Sequence, residues 1–118
     1  MNNSPQPFSM ETLLMQAKTA VADYSSLVRS DSDYPALHLA PPVGRLNDPN
    51  GLVYHNGLFH AFYQYSPVHP YRAVFWRHAV SADLTHWKDD KTAIAPQNWY
   101  DRNGCYSGSG VVNEAGEL

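Results

Sequence analysis

The stretch LNDPNGLVYHNGLFHAFYQY, residues 46–65, runs a polar turn directly into a β-hairpin and decides the fold of this chain. Pro49 fixes its own φ and disfavours the α region for Asp48, so the sequence predicts an extended Asp48 within a turn that no regular strand or helix accepts. Asn56 and Gly57 then form the pair that most favours a type I′ hairpin turn. The hairpin therefore begins with a carboxylate.

The second arm of the hairpin alternates between two faces. Phe59, Ala61, Tyr63 and Tyr65 point one way, and Leu58, His60, Phe62 and Gln64 point the other. The rigid strand pair thus carries the carboxylate of Asp48 at its entrance and the amide of Gln64 near its far end.

Length and charge restrict what the chain can be. Its 118 residues suffice for one small domain, and a net charge of −3 provides no basic patch for nucleic acid or an anionic membrane surface. Aromatic residues make up 13% of the chain, which suits either stacking platforms for sugars or the ordinary filling of β structure. Composition does not decide between these two uses.

The numbers and positions of cysteine and histidine residues indicate the redox compartment and whether a metal ion is bound. Cys105 is the single cysteine, so no internal disulfide forms and a reducing compartment is favoured. The N-terminus does not have the pattern of a signal peptide and no apolar run reaches membrane-spanning length, so we expect a cytoplasmic protein. The six histidines do not have the spacing of a metal site, and we expect no metal ion or other cofactor.

Three segments are predicted before the hairpin: a disordered lead over 1–8, an amphipathic helix over 9–30 and a linker over 31–36. Ser9 suits the N-cap of the helix, with Glu11 in its first turn and Arg29 in its last, as the helix dipole favours. Its polar face is not basic, so we expect the helix to dock on the chain's own body rather than on a membrane.

Residues 37–118 have strand character interrupted by turns. Short strands are predicted at Leu37–Leu39, Ala73–Ser81, Thr92–Ala95 and Cys105–Asn113, with a loop over Ser66–Arg72 and turns at Asp83–Trp87 and Asn113–Gly116. Four strands counted from Gly51 make one blade of a β-propeller, and a second blade begins after them. A lone blade has no neighbour on which to bury its faces, so we predict that the chain is the N-terminal part of a longer protein.

Four motifs follow one another along the chain: HLAPPVGRLNDPNG at 38–51, FYQY at 62–65, WRHAVS at 76–81 followed by Asp83, Leu84 and Trp87, and DRNGCYSGS at 101–109. Together and in this order, they resemble glycoside hydrolase family 32, the invertases, sucrose-6-phosphate hydrolases and fructanases. The resemblance implies an all-β fold, a five-bladed β-propeller, of which these residues form the first blade and the start of the second. Runs such as Asn-Asp-Pro-Asn-Gly are also ordinary loop formers, so the turn alone does not establish chemistry.

The resemblance assigns Asp48 as the catalytic nucleophile of a retaining reaction, which needs two carboxyl groups. In the family, the acid is a glutamate in a Glu-Cys-Pro motif, and a further aspartate in an Arg-Asp-Pro motif binds the fructose. This sequence contains neither motif. We therefore expect the 118 residues alone to be inactive, because protonation of the leaving group is lost.

The resemblance also implies five substrate-binding residues: Asn47, Gln64, Trp76, Tyr106 and Ser107. The side-chain amides of Asn47 and Gln64 suit hydrogen bonds to the backbone of a turn or strand ladder equally well. A tryptophan in a strand suits packing in the hydrophobic core equally well. Arg45 and Arg77 depart from the family pattern. Guanidinium groups there would suit a phosphorylated sugar or a surface salt bridge, so sucrose and sucrose 6-phosphate both stay open.

Three functions are considered for a chain with these motifs. The first is a β-fructofuranosidase whose partner is a small sugar such as sucrose or a related β-fructoside. The second is a non-catalytic sugar-binding propeller that keeps the family signature. The third, an enzyme of a related propeller family such as the arabinanases, fits poorly because of the Asn-Asp-Pro-Asn-Gly run. Nothing in the sequence indicates an oligomeric state.

Overall fold

The computed structural model describes residues 9–68 and 73–118, where one helix precedes a four-stranded antiparallel sheet. The elements are α1 (Met10–Arg29), β1 (Arg45–His55), β2 (Leu58–Ser66), β3 (Phe75–Ser81) and β4 (Lys88–Ile94). Each strand pairs with the next along the chain, in the order β1-β2-β3-β4. Such a sheet is the form of one propeller blade. The predicted lead over 1–8 and residues 69–72 of the predicted loop lie outside the described residues.

The helix α1 begins and docks as its sequence predicts. The side chain of Ser9 accepts a hydrogen bond from the backbone N–H of Thr12 at 3.2 Å, which caps the first turn. Ala17 is buried in the core cluster, and Leu13 and Val21 pack against that cluster. The helix therefore lies on the chain's own body. No helix in the described ranges has the length and apolar content that crossing a membrane requires.

The hairpin between β1 and β2 has the predicted turn. Asn56 and Gly57 have φ values of 48° and 80°, and His55 pairs with Leu58, so the loop has two residues with positive φ. Along β2, Ala61, Tyr63 and Tyr65 are buried, which confirms that this set shares one face. The register of the sheet follows from this hairpin.

The buried face of the sheet packs around two tyrosines and an ion pair. Tyr63 and Tyr65 are fully buried beside Phe75, and the guanidinium of Arg77 lies over the Tyr65 ring at 5.4 Å. Arg77 donates to both carboxylate oxygens of Asp89, at 2.9 and 2.6 Å. Burial raises the pKa of Tyr65 to about 12, so its hydroxyl stays neutral.

The prediction of an extended Asp48 in an irregular turn was wrong. The polar run belongs to β1, in which Asn47 pairs with Gln64 and Pro49 pairs with Tyr63, so Asp48 is the extra residue of a β-bulge with φ 44°. A second register shift follows between Asn50 and Val53. β1 is an edge strand of this sheet, which is the position at which a sheet tolerates proline.

Two predicted strands do not form, and one is longer than predicted. At Leu37–Leu39, the left-handed φ of His38 (77°) breaks the extended run. Residues 105–113 form no strand, because they have no ladder partner in the described chain. The strand predicted at Thr92–Ala95 begins earlier, at Lys88.

Both predicted turns are present. The carboxylate of Asp83 accepts from the backbone N–H groups of Thr85 and His86 at 2.9 and 2.8 Å. These bonds, with one from the His86 ring, hold the pKa of Asp83 well below its usual range. The turn that starts at Asn113 is closed by the N–H of Gly116, which donates to the Asn113 carbonyl at 3.0 Å.

Candidate active site

The carboxylate of Asp48 stands on the bulge of the edge strand and is exposed to solvent. Its backbone carbonyl accepts from the side-chain amide of Asn50 at 2.5 Å, which fixes the peptide beside it. A non-glycine residue in the left-handed region costs about 1–2 kcal/mol. Backbone strain of this kind is concentrated at functional sites, so the left-handed conformation of Asp48 indicates a functional site in this part of the sheet.

The amide of Gln64 lies between three polar groups of this region. With its nitrogen towards Asp48, it donates to Asp48 Oδ2 at 3.2 Å, and its oxygen accepts from the backbone N–H of Ser107 at 3.2 Å. The opposite orientation gives only a bond from Asn47 Nδ2, at 2.5 Å. We assign the first orientation because it satisfies both ends of the amide, with the oxygen of Asn47 turned towards Gln64. Gln64 then joins the carboxylate to the 105–113 segment.

The 105–113 segment lies against the bulged strand through backbone contacts. The N–H of Gly108 donates to Asn50 Oδ1 at 3.1 Å, across 58 residues of sequence. A Cβ on Gly110 would lie 2.8 Å from the carbonyl oxygen of Gly51, so only glycine permits this approach. Asn50 thus holds the peptide after Asp48 with one end of its amide and the segment with the other.

An aromatic pair continues the same face of the sheet. Trp76 is the register partner of Gln64, and its ring stacks on Phe62 with centroids 5.1 Å apart. A Cβ on Gly108 would lie 3.3 Å from the Trp76 indole, so the 105–113 segment also borders this ring. The indole nitrogen of Trp76 is buried and has no hydrogen-bond partner in the described chain. Buried indole N–H groups usually find an acceptor.

The structure brings together most of the residues predicted for the site. Those that meet are Asp48, Asn47, Gln64, Trp76 and, through its backbone N–H, Ser107. Tyr106 follows the same segment, but its ring is 77% exposed and packs against little of the described chain.

Sequence reasoning missed three residues of this region: Asn50, Phe62 and Gly108. Asn50 lies within the polar run, and Phe62 lies two residues before Gln64 on the same face of a strand, so both could have been found by position. Gly108 contacts Asn50 across 58 residues of sequence, and no local pattern predicts that contact.

Arg77 is not part of the site. It lies on the buried face of β3, opposite to its neighbour Trp76, and its side chain is engaged by Asp89 and Thr92. A guanidinium held in this way cannot reach a ligand on the other face. Arg45 begins β1 and is exposed.

The region combines three chemical abilities. The carboxylate of Asp48 can act as a nucleophile or accept hydrogen bonds from hydroxyl groups. The amides of Asn47 and Gln64 can donate and accept, as sugar hydroxyls require. The ring of Trp76 provides an apolar surface for the face of a sugar.

The chain is similar in sequence to known proteins over most of its length. Residues 38–118 match the family profile described as glycosyl hydrolases family 32 N-terminal domain. The raffinose invertase of Escherichia coli is 47% identical over 106 residues, and the sucrose-6-phosphate hydrolase of Bacillus subtilis is 40% identical over 105 residues. These alignments cover 89% and 88% of this chain but 22% of each relative. The chain therefore spans about a fifth of the length of the relatives it matches.

Solved structures show the same relationship. The Bombyx mori GH32 β-fructofuranosidase BmSUC1 superposes with a TM-score of 0.70 at 35% identity, over 87% of this chain and 21% of that one. A mutant of the same enzyme has been solved in complex with sucrose. These similarities confirm the predicted fold class, the N-terminal part of a β-propeller preceded by a helix. With its profile match over residues 38–118, the chain belongs to glycosyl hydrolase family 32.

Proposed function

We propose that the complete protein hydrolyses terminal β-D-fructofuranosides such as sucrose with retention of configuration, and that Asp48 is its nucleophile. The observation that carries this proposal is the bond from the Gln64 amide to Asp48 Oδ2, in a region where Trp76 offers a sugar platform. Gln64 holds one carboxylate oxygen, which leaves Oδ1 to attack. The family relationship supplies the substrate class.

The reaction proceeds in two displacements. Oδ1 of Asp48 forms a bond to the anomeric carbon of the fructosyl unit while the bond to the leaving oxygen breaks. A carboxylic acid gives that oxygen its proton, a role that the resemblance assigns to the glutamate of a Glu-Cys-Pro motif absent from these 118 residues. Water, deprotonated by the same group, then attacks the anomeric carbon and frees Asp48.

The substrate range is proposed from the relatives and from the position of the arginines. The two relatives described above are named for raffinose and for sucrose 6-phosphate, and both substrates carry a terminal β-fructofuranosyl unit. Arg77 is engaged on the buried face, so a phosphate group would have to be bound elsewhere. The single cysteine favours a cytoplasmic location for this activity.

The test uses the complete protein and an Asp48→Gly variant, because glycine accepts φ 44° without strain and leaves room beside the anomeric carbon. Asp33→Asn, in the exposed segment after α1, is the matched control. We expect the wild type and the control to release fructose from sucrose, and Asp48→Gly to lose activity by several orders of magnitude. Azide should restore turnover in Asp48→Gly and yield a fructosyl azide of inverted configuration.

Two results would contradict the proposal. If Asp48→Gly hydrolyses sucrose as fast as the wild type, Asp48 is not the nucleophile. If the wild type binds fructosides but hydrolyses neither sucrose, sucrose 6-phosphate nor raffinose, the protein is a sugar-binding propeller without catalytic chemistry.

A further inference from the structure

Four aromatic rings form a continuous row on the face of the sheet that carries Gln64. His60 and His78 have centroids 5.1 Å apart, His78 and Phe62 4.6 Å, and Phe62 and Trp76 5.1 Å. Their interplanar angles of 8°, 19° and 23° keep neighbouring rings nearly parallel: His60 and His78 meet edge to edge through a hydrogen bond, and Phe62 stacks against His78 and Trp76. The row thus runs from His60, close to the hairpin turn, to the tryptophan of the candidate site.

The His60–His78 end of the row is fixed by hydrogen bonds. His78 Nε2 lies 2.9 Å from His60 Nδ1, and His78 Nδ1 lies 2.8 Å from Asp90 Oδ2. His60 Nε2 lies 3.3 Å from the carbonyl oxygen of His55, whose own ring is 6.1 Å from that of His60. His78 is therefore tied to strands on both sides of β3.

Phe62 transmits the position of His78 to the site because it is confined on two sides. A Cβ on Gly51 would lie 2.8 Å from Phe62 Cδ2, so the backbone of the bulged strand lies close against one side of the ring. His78 stacks on it at 4.6 Å. Trp76 has no hydrogen bond of its own within the described ranges, so its orientation depends on this stacking and on its border with Gly108.

We propose that His78 is a positioning residue, which Asp90 and His60 hold in place and which sets the orientation of Trp76 through Phe62. Its effect on catalysis rests on the proposed function. Its effect on the Trp76 ring does not, and the two are measured separately.

The structural test labels the complete protein with 5-fluorotryptophan and assigns Trp76 as the ¹⁹F signal missing from Trp76→Phe. We expect His78→Ala to shift or split that signal, and His78→Phe, which keeps a ring for stacking, to shift it less. Asp90→Ala removes the carboxylate that bonds His78 Nδ1, and it tests the same effect should His78→Ala fail to fold. His86→Ala is the matched control, because His86 also bonds an aspartate, Asp83 at 2.7 Å, but is 70% exposed. An unchanged Trp76 signal in His78→Ala or Asp90→Ala overturns the proposal.

The kinetic test distinguishes positioning from general destabilisation. We expect His78→Ala to raise KM for sucrose about three- to tenfold, the value of one aromatic contact, with kcat nearly unchanged. His78→Phe should restore most of the loss, and His86→Ala should match the wild type. A fall in kcat at constant KM would overturn the positioning role. A wild type without activity, together with a shifted ¹⁹F signal in His78→Ala, would overturn the proposed function and leave the positioning role intact.

Discussion

Replacing Asp89 by leucine leaves the guanidinium of Arg77 buried without its counter-ion, and we expect this to lower the free energy of unfolding by about 3–5 kcal/mol. The two side chains are 10% and 16% exposed, and their nearest atoms are 2.6 Å apart. Arg77 would keep only its bond to Thr92 Oγ1 at 3.2 Å and its contact with the Tyr65 ring. Neither neutralises a buried charge.

Replacing both partners gives a different result. In Arg77→Met/Asp89→Leu no charge is buried, and apolar pairs of similar volume often replace ion pairs without loss. The remaining cost arises at the buried hydroxyl of Tyr63, which loses Asp89 as its acceptor at 3.4 Å, and an unsatisfied buried donor costs about 1–3 kcal/mol. The double variant should therefore be more stable than Asp89→Leu alone by about 2–4 kcal/mol.

Urea unfolding of the complete protein, followed by tryptophan fluorescence, measures these differences. The ratio of kcat/KM for sucrose 6-phosphate to that for sucrose should change by less than about twofold in the double variant, because Arg77 lies on the buried face. A double variant as unstable as Asp89→Leu would contradict a buried, uncompensated charge as the cause. A double variant that keeps its stability but loses a preference for the phosphorylated sugar would contradict the placement of Arg77 outside the sugar site.

Two further predictions concern the 105–113 segment and the turn after β3. In Gly110→Ala the new Cβ meets the carbonyl of Gly51 at 2.8 Å, so the melting temperature should fall by an amount equivalent to about 1–3 kcal/mol, and an unchanged value would contradict the close approach. The pKa of Asp83 is lower in the folded state than its ordinary 3.8, so its charge stabilises the fold above that pH and the contribution is lost as the pH falls through the folded value. The advantage in melting temperature of the wild type over Asp83→Asn should therefore shrink below pH 3.8, and a constant difference down to acid unfolding would count against it.

Features that depend on neighbouring residues could be predicted from the sequence. The Asn56-Gly57 turn, the alternation of β2 and the Ser9 cap each involve residues a few positions apart, so local propensity determines them. The polar run and the motifs after it also indicated which residues meet at the site. Asn47, Gln64 and Trp76 lie on paired strands whose register follows from the hairpin.

The tertiary structure decided what depends on residues far apart in the chain. The bulge that places Asp48 at φ 44° arises from pairing with β2, and Pro49 alone had indicated an extended conformation. The segment over 105–113 docks through Gly108, which binds Asn50 across 58 residues, and no local pattern encodes that contact. The side on which a strand residue is buried depends on the packing of the whole sheet. For that reason only the structure assigned Arg77 to the core, with Asp89 as its partner, and not to the sugar site.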